Sequence, residues 1–321
     1  MDEQIKNHEG DITVFIDSCP LGCTWPSEVI LLGRDHIYRN KPQEVHAEKK
    51  FLDALEQDVN DEEEQEFIIF LNFSPCNECA TKICRFLTDH SEVTFEIAFA
   101  HVYTGYRHAN REGLKKLHDH KRITLRALRG EDWKKIIRLI LEAHGWDGWD
   151  DAWQQIQPNL EDWEKIKREI EESIGGQQGD DWKEEFRKKI QHKPWPSHWL
   201  QDLEEIITRY DHNEWAYEVG ELVSGSEDVW YQAKQNEVMQ YVYNYGRDSV
   251  STILNHLEGP DNEENRTGYA FLLHVLEILG KNRPINKLRK RIVADYVARK
   301  ELEYILQKQA QAQAGAAAQA L

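Results

Sequence analysis

No run of apolar residues in this sequence approaches the ~20 that a membrane-spanning helix needs, and a mean hydropathy of -0.73 with 40% hydrophobic residues describes a soluble protein. The opening Met1-Asp2-Glu3 lacks a basic and then apolar leader, so secretion is not expected and an intracellular setting, cytoplasmic, nuclear or both, is. Cysteine is scarce and odd in number, five in 321 residues. That argues for a reducing compartment and for metal or core roles rather than a disulfide framework. Asn265-Arg266-Thr267 matches a glycosylation acceptor, which without a leader is read as a chance match. Also lacking is any excess of positive charge: 40 Lys and Arg stand against 58 Asp and Glu, a net charge of -18. Such a balance opposes casual polyanion binding. Its distribution softens the objection, because residues 107–138 hold eleven basic and four acidic side chains, +7, inside a segment 1–145 that sums to 19 minus 26, or -7.

What is present is a compact set of metal-ligating residue types. His46-Ala47-Glu48 is followed, after an acidic connection, by Pro75-Cys76-Asn77-Glu78-Cys79. One imidazole and two thiolates make a three-ligand Zn2+ set with a fourth tetrahedral position open, and Glu48, which is not a ligand, is placed to handle a proton. With His46 opening one helix and Pro75 another, Cys76 and Cys79 fall on one helical face, and the amides of that N-terminus favour thiolate. Cys76 and Cys79 alone would equally suit half of a four-cysteine structural site. No second Cys-x-x-Cys completes one, since Cys84 stands alone and Cys19 and Cys23 are separated by Pro20-Leu21-Gly22. The full spacing points to hydrolytic deamination of a base.

Along the chain, β-forming residues predict strands at Ile12 to Ser18, Val29 to Gly33, Phe67 to Leu71, Val93 to Val102 and Ile123 to Leu128, the first two as a hairpin. Ile37 and Tyr38 fall near the end of the second or on the approach to the site. Phe67 to Leu71 is apolar throughout, as in a strand covered on both faces. Helices are predicted from His46 to about Asp58, from Pro75 to about Thr88, from about Arg111 to His118 and from Glu131 onward. Beyond Gly145 the composition shifts to Trp, Glu, Lys and Gly. Glu131-Asp132-Trp133, Glu161-Asp162-Trp163 and Asp180-Asp181-Trp182 read as acidic caps on helices whose tryptophans dock into a core. Pro194-Trp195-Pro196 is a rigid connector, helices are expected at 198–209, 227–256 and 268–279, and Pro284 starts a last helix reaching at least Leu306.

Residues 12 to about 143 resemble the AID/APOBEC family of polynucleotide cytidine deaminases. The resemblance rests on His46-Ala47-Glu48, on Ser74-Pro75-Cys76-Asn77-Glu78-Cys79, on the strand ending in Tyr103, and on Glu112-Gly113-Leu114-Lys115-Lys116-Leu117 followed by a strand and a helix at Trp133. Gln235 to Leu257 is similar to part of the long lamprey-type members. The resemblance implies a sugar contact for Asn40, base contacts for Ala47, Phe73, Ser74 and Tyr103, and a loop from Thr104 to Asn110, with Tyr106 and Arg107, that reads the neighbouring nucleotide. The sequence departs from the family pattern in its short N-terminus, in Phe73 where tryptophan is usual, and in His101 where arginine is frequent.

The expected fold is α/β, a cytidine-deaminase-like three-layer arrangement with a five-stranded mixed sheet flanked by helices, plus a mostly α-helical C-terminal region. The expected units are 1–145, the zinc domain; 146–225, a Trp-rich helical connector; 226–308, a helical domain; and 309–321, an Ala/Gln-rich tail. The function expected is zinc-dependent deamination of cytosine to uracil in single-stranded DNA or RNA, in the nucleic-acid editing that the resemblance associates with immunity. The alternatives are a free cytidine or dCMP deaminase and a non-catalytic zinc scaffold. No membrane contact is expected, while a protein partner or an intramolecular contact through the helical C-terminal region is.

Overall fold

The computed structural model describes residues 1–16, 28–34, 36–40, 45–60, 62–104, 108–155 and 263–319, with isolated positions 167, 168, 188 and 201. The chain begins with two short helices, α1 (Asp2–Asn7) and α2 (Glu9–Ile16). The strand expected from Ile12 is therefore a helix through Ile16. Ile5, Ile12, Phe15 and Ile16 recur at helical spacing and are all buried, and that packing overrides the β propensity of Ile, Val and Phe.

The hairpin forms one step later. β1 (Val29–Gly33) pairs antiparallel with β2 (His36–Asn40), in register Val29 with Asn40 and Leu31 with Tyr38. After α3 (Ala47–Leu55), β3 (Gln65–Leu71) pairs antiparallel with β1 and parallel with β4 (Val93–Phe99), which pairs parallel with β5 (Ile123–Ala127). The sheet order is β2-β1-β3-β4-β5. Helices α4 (Asn77–Asp89) and α5 (His108–Asp119) make the parallel crossovers, as helical connections must between parallel neighbours. This is the expected five-stranded mixed sheet flanked by helices, with two of its strand assignments changed. In β3, Ile69, Phe70 and Leu71 are buried, but Ile68 is 41% exposed because no described element covers that end of its face.

Side chains alternate across the sheet. Leu31, Ile69, Leu71, Ile97 and Phe99 face α3, α4 and α5. Ile30, Leu32, Phe70, Ala98 and Ala100 face a second layer made of α1, α2, α6 (Asp132–Ala143), α7 (Trp149–Gln155) and α8 (Glu263–Ile278). Trp133 is wholly buried there, as its acidic-acidic-tryptophan opening predicts. Asp132, also buried, accepts the Arg129 N–H at 2.8 Å and two hydrogen bonds from Arg126, at 2.6 and 2.8 Å. The other two such openings lie outside the described residues, as do the expected helices at 227–256 and most of 198–209.

The final helix, α9 (Pro284–Gln319), starts at the expected proline. It joins both layers: Leu288, Ile292 and Tyr296 belong to the α6/α8 core, while Ala298, Leu302 and Ile305 pack into the α4/α5 core beside β5. Apolar residues four apart line one helical face; the shift from 296 to 298 rotates that face as the helix passes the β5 edge of the sheet. α8 meets the β5–α6 turn backbone to backbone. A methyl on Gly268 would overlap the Gly130 carbonyl, and one on Gly130 would overlap the backbone of Asn265.

Candidate metal centre and base pocket

β3, β4 and β5 are parallel and end level, with Leu71 opposite Phe99 and Phe99 opposite Ala127. The chain leaving β3 runs through Asn72, Phe73 and Ser74 to α4, and the chain leaving β4 runs through Ala100, His101 and Tyr103 towards α5. The site therefore lies outside the carboxyl ends of the parallel strands, where open α/β sheets bind ligands.

His46 is the N-cap of α3 and Cys76 the N-cap of α4. His46 Nδ1 lies 3.1 Å from Cys79 Sγ and 3.6 Å from Cys76 Sγ, and the three ligand atoms all fall within 4.8 Å of one another. Tetrahedral zinc with the usual Zn–N and Zn–S lengths places such ligands about 3.5 Å apart, so this donor set fits zinc. Among the described residues it is the one cluster of three His, Cys, Asp or Glu side chains with this convergence. Cys84 stays outside it, with its Sγ on the Lys116 carbonyl at 3.8 Å.

The two thiols differ in character. The hydrogen bond donated by Cys79 draws the Cys76 thiol down to about 5 against the opposing effect of burial, with further help from the Cys79 and Glu78 amides and from His46. Cys79 is correspondingly pushed up, first by that bond and then by burial and the nearby Glu48 charge. Glu48 is 5% exposed in the first turn of α3. Burial pushes its carboxyl up to about 7; its own amide, His46 and a hydrogen bond with Cys79 pull the other way, and Cys76 adds to the rise. The carboxylate thus touches the ligand set without belonging to it.

Around this centre the expected pocket residues are placed as follows. Ala47 is fully buried, and Phe73 and Ser74 are 6% and 3% exposed. Ser74 N–H donates to the His101 carbonyl at 2.7 Å, and Ser74 Oγ accepts the Tyr103 N–H at 2.9 Å. The Phe73 ring lies 5.6 Å from His101 and 6.4 Å, edge on, from Tyr103. Asn40, at the end of β2, accepts the Ala47 N–H at 3.2 Å and so ties that strand to the start of α3. Tyr106 and Arg107 lie outside the described residues.

Several residues that hold the site escaped the sequence. Asn72, 1% exposed, bonds the Ile30 N–H at 2.9 Å and the Glu28 carbonyl at 3.1 Å, locking β3 to β1 just before the pocket. Asn110 accepts the Asn77 N–H of α4 at 3.1 Å and donates to the Tyr103 carbonyl at 3.4 Å and to Thr104 Oγ1. Gly113 lets α5 approach α4, since a Cβ there would stand 2.7 Å from Asn77 Cα. Arg291 of α9 donates to His101 Nε2 at 2.9 Å, so a guanidinium stands beside position 101 although the sequence has histidine there. The basic strip is also largely engaged. Arg122 donates to the carbonyls of His90, Ser91 and Val93 at 2.6, 2.9 and 3.1 Å, and to that of Leu87, Lys116 to Asn77 and Thr81 at 3.2 and 3.4 Å, and Arg138 pairs with Glu142 at 2.7 Å.

A family model for the APOBEC3 cytosine deaminase domain matches residues 25–169. The C->U-editing enzyme APOBEC-1 of Mesocricetus auratus is 34% identical over 89 residues, 26% of this chain and 39% of that protein. The enzyme of the same name from Monodelphis domestica is 28% identical over 125 residues, 38% and 52% of the two chains. The DNA dC->dU-editing enzyme APOBEC-3H of Felis catus is 31% identical over 92 residues, 28% and 47%. The chain spans between two fifths and about half of the length of these relatives. Residues 25–169 are thus similar to the cytosine deaminase domains of the AID/APOBEC family.

Proposed function

We propose that this chain converts cytosine to uracil in single-stranded DNA, with His46, Cys76 and Cys79 holding zinc and Glu48 as the proton carrier. The observation that supports this most is the buried Glu48 carboxyl in contact with the converging ligand atoms of His46, Cys76 and Cys79. When bound, zinc supplies the Lewis acidity that makes water a nucleophile at neutral pH. Glu48 takes one proton from water as its oxygen adds to C4 and passes it to N3, then moves the second proton from the new C4 hydroxyl to the departing amine, so that water and cytosine become uracil and ammonia. Ala47, Phe73, Ser74 and Tyr103 wall the base, and Tyr106 and Arg107 meet the neighbouring nucleotide. Base chemistry needs an unpaired or extruded base, which favours single strands over duplex. The relatives are named as editing enzymes, one of them for DNA, and that name supports the choice of DNA over free nucleotides. The helical C-terminal segment acts here as an intramolecular partner of the site.

The purified chain, incubated with a cytosine-containing single-stranded oligonucleotide, is expected to form uracil at a rate that Glu48→Ala lowers by about 10²- to 10⁴-fold, the usual range for a general acid–base group. Equal uracil formation by both proteins would remove Glu48 from the mechanism, and turnover of dCMP in preference to the oligonucleotide would remove the polymer substrate.

A further inference from the structure

Arg291 is 2% exposed, and its guanidinium reaches four groups on separate parts of the fold. It pairs with Asp295 one turn along α9 at 2.8 Å, and donates to His101 Nε2 at 2.9 Å, to the Ala100 carbonyl at 3.2 Å and to the Phe15 carbonyl at 3.5 Å. Asp295, fully buried, also accepts from Trp133 Nε1 at 2.9 Å and Tyr269 OH at 3.0 Å. A guanidinium has only donors. His101 Nε2 must therefore accept, which makes the imidazole neutral and places its proton on Nδ1. One residue of α9 thus fixes both the tautomer of His101 and the carbonyl before it.

That segment carries the base pocket. The His101 carbonyl holds the Ser74 amide, Ser74 Oγ holds the Tyr103 amide, and the His101 ring lies against Phe73. We propose that Arg291 is a positioning residue for the deaminase pocket: from α9 it clamps Ala100 and His101, and through their bonds to Ser74 and Tyr103 it sets the wall against which the base lies. The inference rests on the pocket reading given above. It adds that residues 284 onward complete the site, since 190 positions separate the two partners in sequence.

Removing Arg291 alone would leave Asp295 buried and uncompensated, a change that can unfold the chain outright. The test therefore uses the full-length double variant Arg291→Met with Asp295→Asn, in which the amide carbonyl introduced in α9 still accepts from Trp133 and Tyr269. Tyr269→Phe serves as a control that weakens the same buried network while leaving Arg291 on His101. Without substrate, the ¹⁵N signals of the His101 ring are expected to report the Nδ1–H tautomer in the wild type and in Tyr269→Phe, and to lose that preference in the double variant. Amide exchange at Ser74 and Tyr103 is expected to quicken by about tenfold or more in the double variant alone, the scale of one lost charge-assisted hydrogen bond. With the oligonucleotide, kcat/KM is expected to fall by a similar factor. An unchanged tautomer with unchanged exchange at both amides overturns the proposal, as does a loss of protection equal to that in Tyr269→Phe, which would make Arg291 merely structural. If the wild type forms no uracil, the deaminase reading fails, while the tautomer and exchange measurements still decide the role of Arg291.

Discussion

Asn110 shows how a single polar side chain organises the site. Its Oδ1 satisfies an amide that the first turn of α4 leaves without an intrahelical partner, and its Nδ2 holds the turn after β4. A cap of this kind is worth about 0.5–2 kcal/mol. Asn110→Ala is accordingly expected to lower unfolding free energy by about 1–2 kcal/mol in a denaturant titration, and Asn110→Asp, which keeps the acceptor, to recover much of it. A midpoint unmoved by the alanine change would show that water replaces the cap. Nothing in the local sequence marks this asparagine, because the stretch from Arg107 to Arg111 holds no large apolar side chain and periodicity has nothing to register. His46, Cys76, Cys79 and Glu48 were legible for the opposite reason: their chemistry restricts the spacing, and short-range spacing survives in sequence. Asn40 is expected to contact the sugar; what the structure shows is its bond to the Ala47 amide, which depends on the strand pairing that brings it there and which the sequence does not display.

At the scale of elements, the strands and helices between Val29 and Ala143 follow their apolar patterns closely, with β3, β4 and β5 within a few residues of expectation. The miss at Ile12 to Ser18 has a definite cause. Ile12-Thr13-Val14-Phe15-Ile16 suits a strand by propensity, and only the tertiary surface that takes Ile5, Ile12, Phe15 and Ile16 together selects the helix. The hairpin consequently uses His36 to Asn40, whose side chains are only partly buried and carry little apolar signal. The docking of α8 depends on two glycines that no local rule singles out. Gly268→Ala is expected to destabilise the fold by about 3 kcal/mol, the upper end for an overpacked contact, because backbone rather than a flexible side chain stands in the way. Gly10→Ala, with open space around it, is the matched control. Equal melting temperatures for the two variants would mean that α8 docks less closely than described.

For the whole molecule, the sequence suggests a deaminase unit ending near residue 145, and the family match itself stops at 169. The buried cores cross that line. Trp133 of α6 bonds Asp295 of α9, and Tyr269, Phe271, Leu272 and Leu276 of α8 share the core on the sheet face opposite α3, α4 and α5. Such contacts join residues more than a hundred positions apart, which is why composition alone separates what packing unites. A fragment comprising residues 1–145 is expected to expose an apolar surface above the ~400 Å² that a soluble monomer tolerates. It should bind a hydrophobic dye and self-associate in size-exclusion chromatography, where the full chain does neither. A monodisperse fragment with sharp cooperative unfolding would instead make residues 1–145 an independent unit.

The course of α9 has a consequence for assembly. An outermost strand ordinarily offers its row of amides and carbonyls to any extended peptide that approaches, including the same strand of another molecule. By packing against β5 as it passes from one layer to the other, the last helix crowds that row, which disfavours joining the sheets of two copies end to end through β5 into a continuous ribbon.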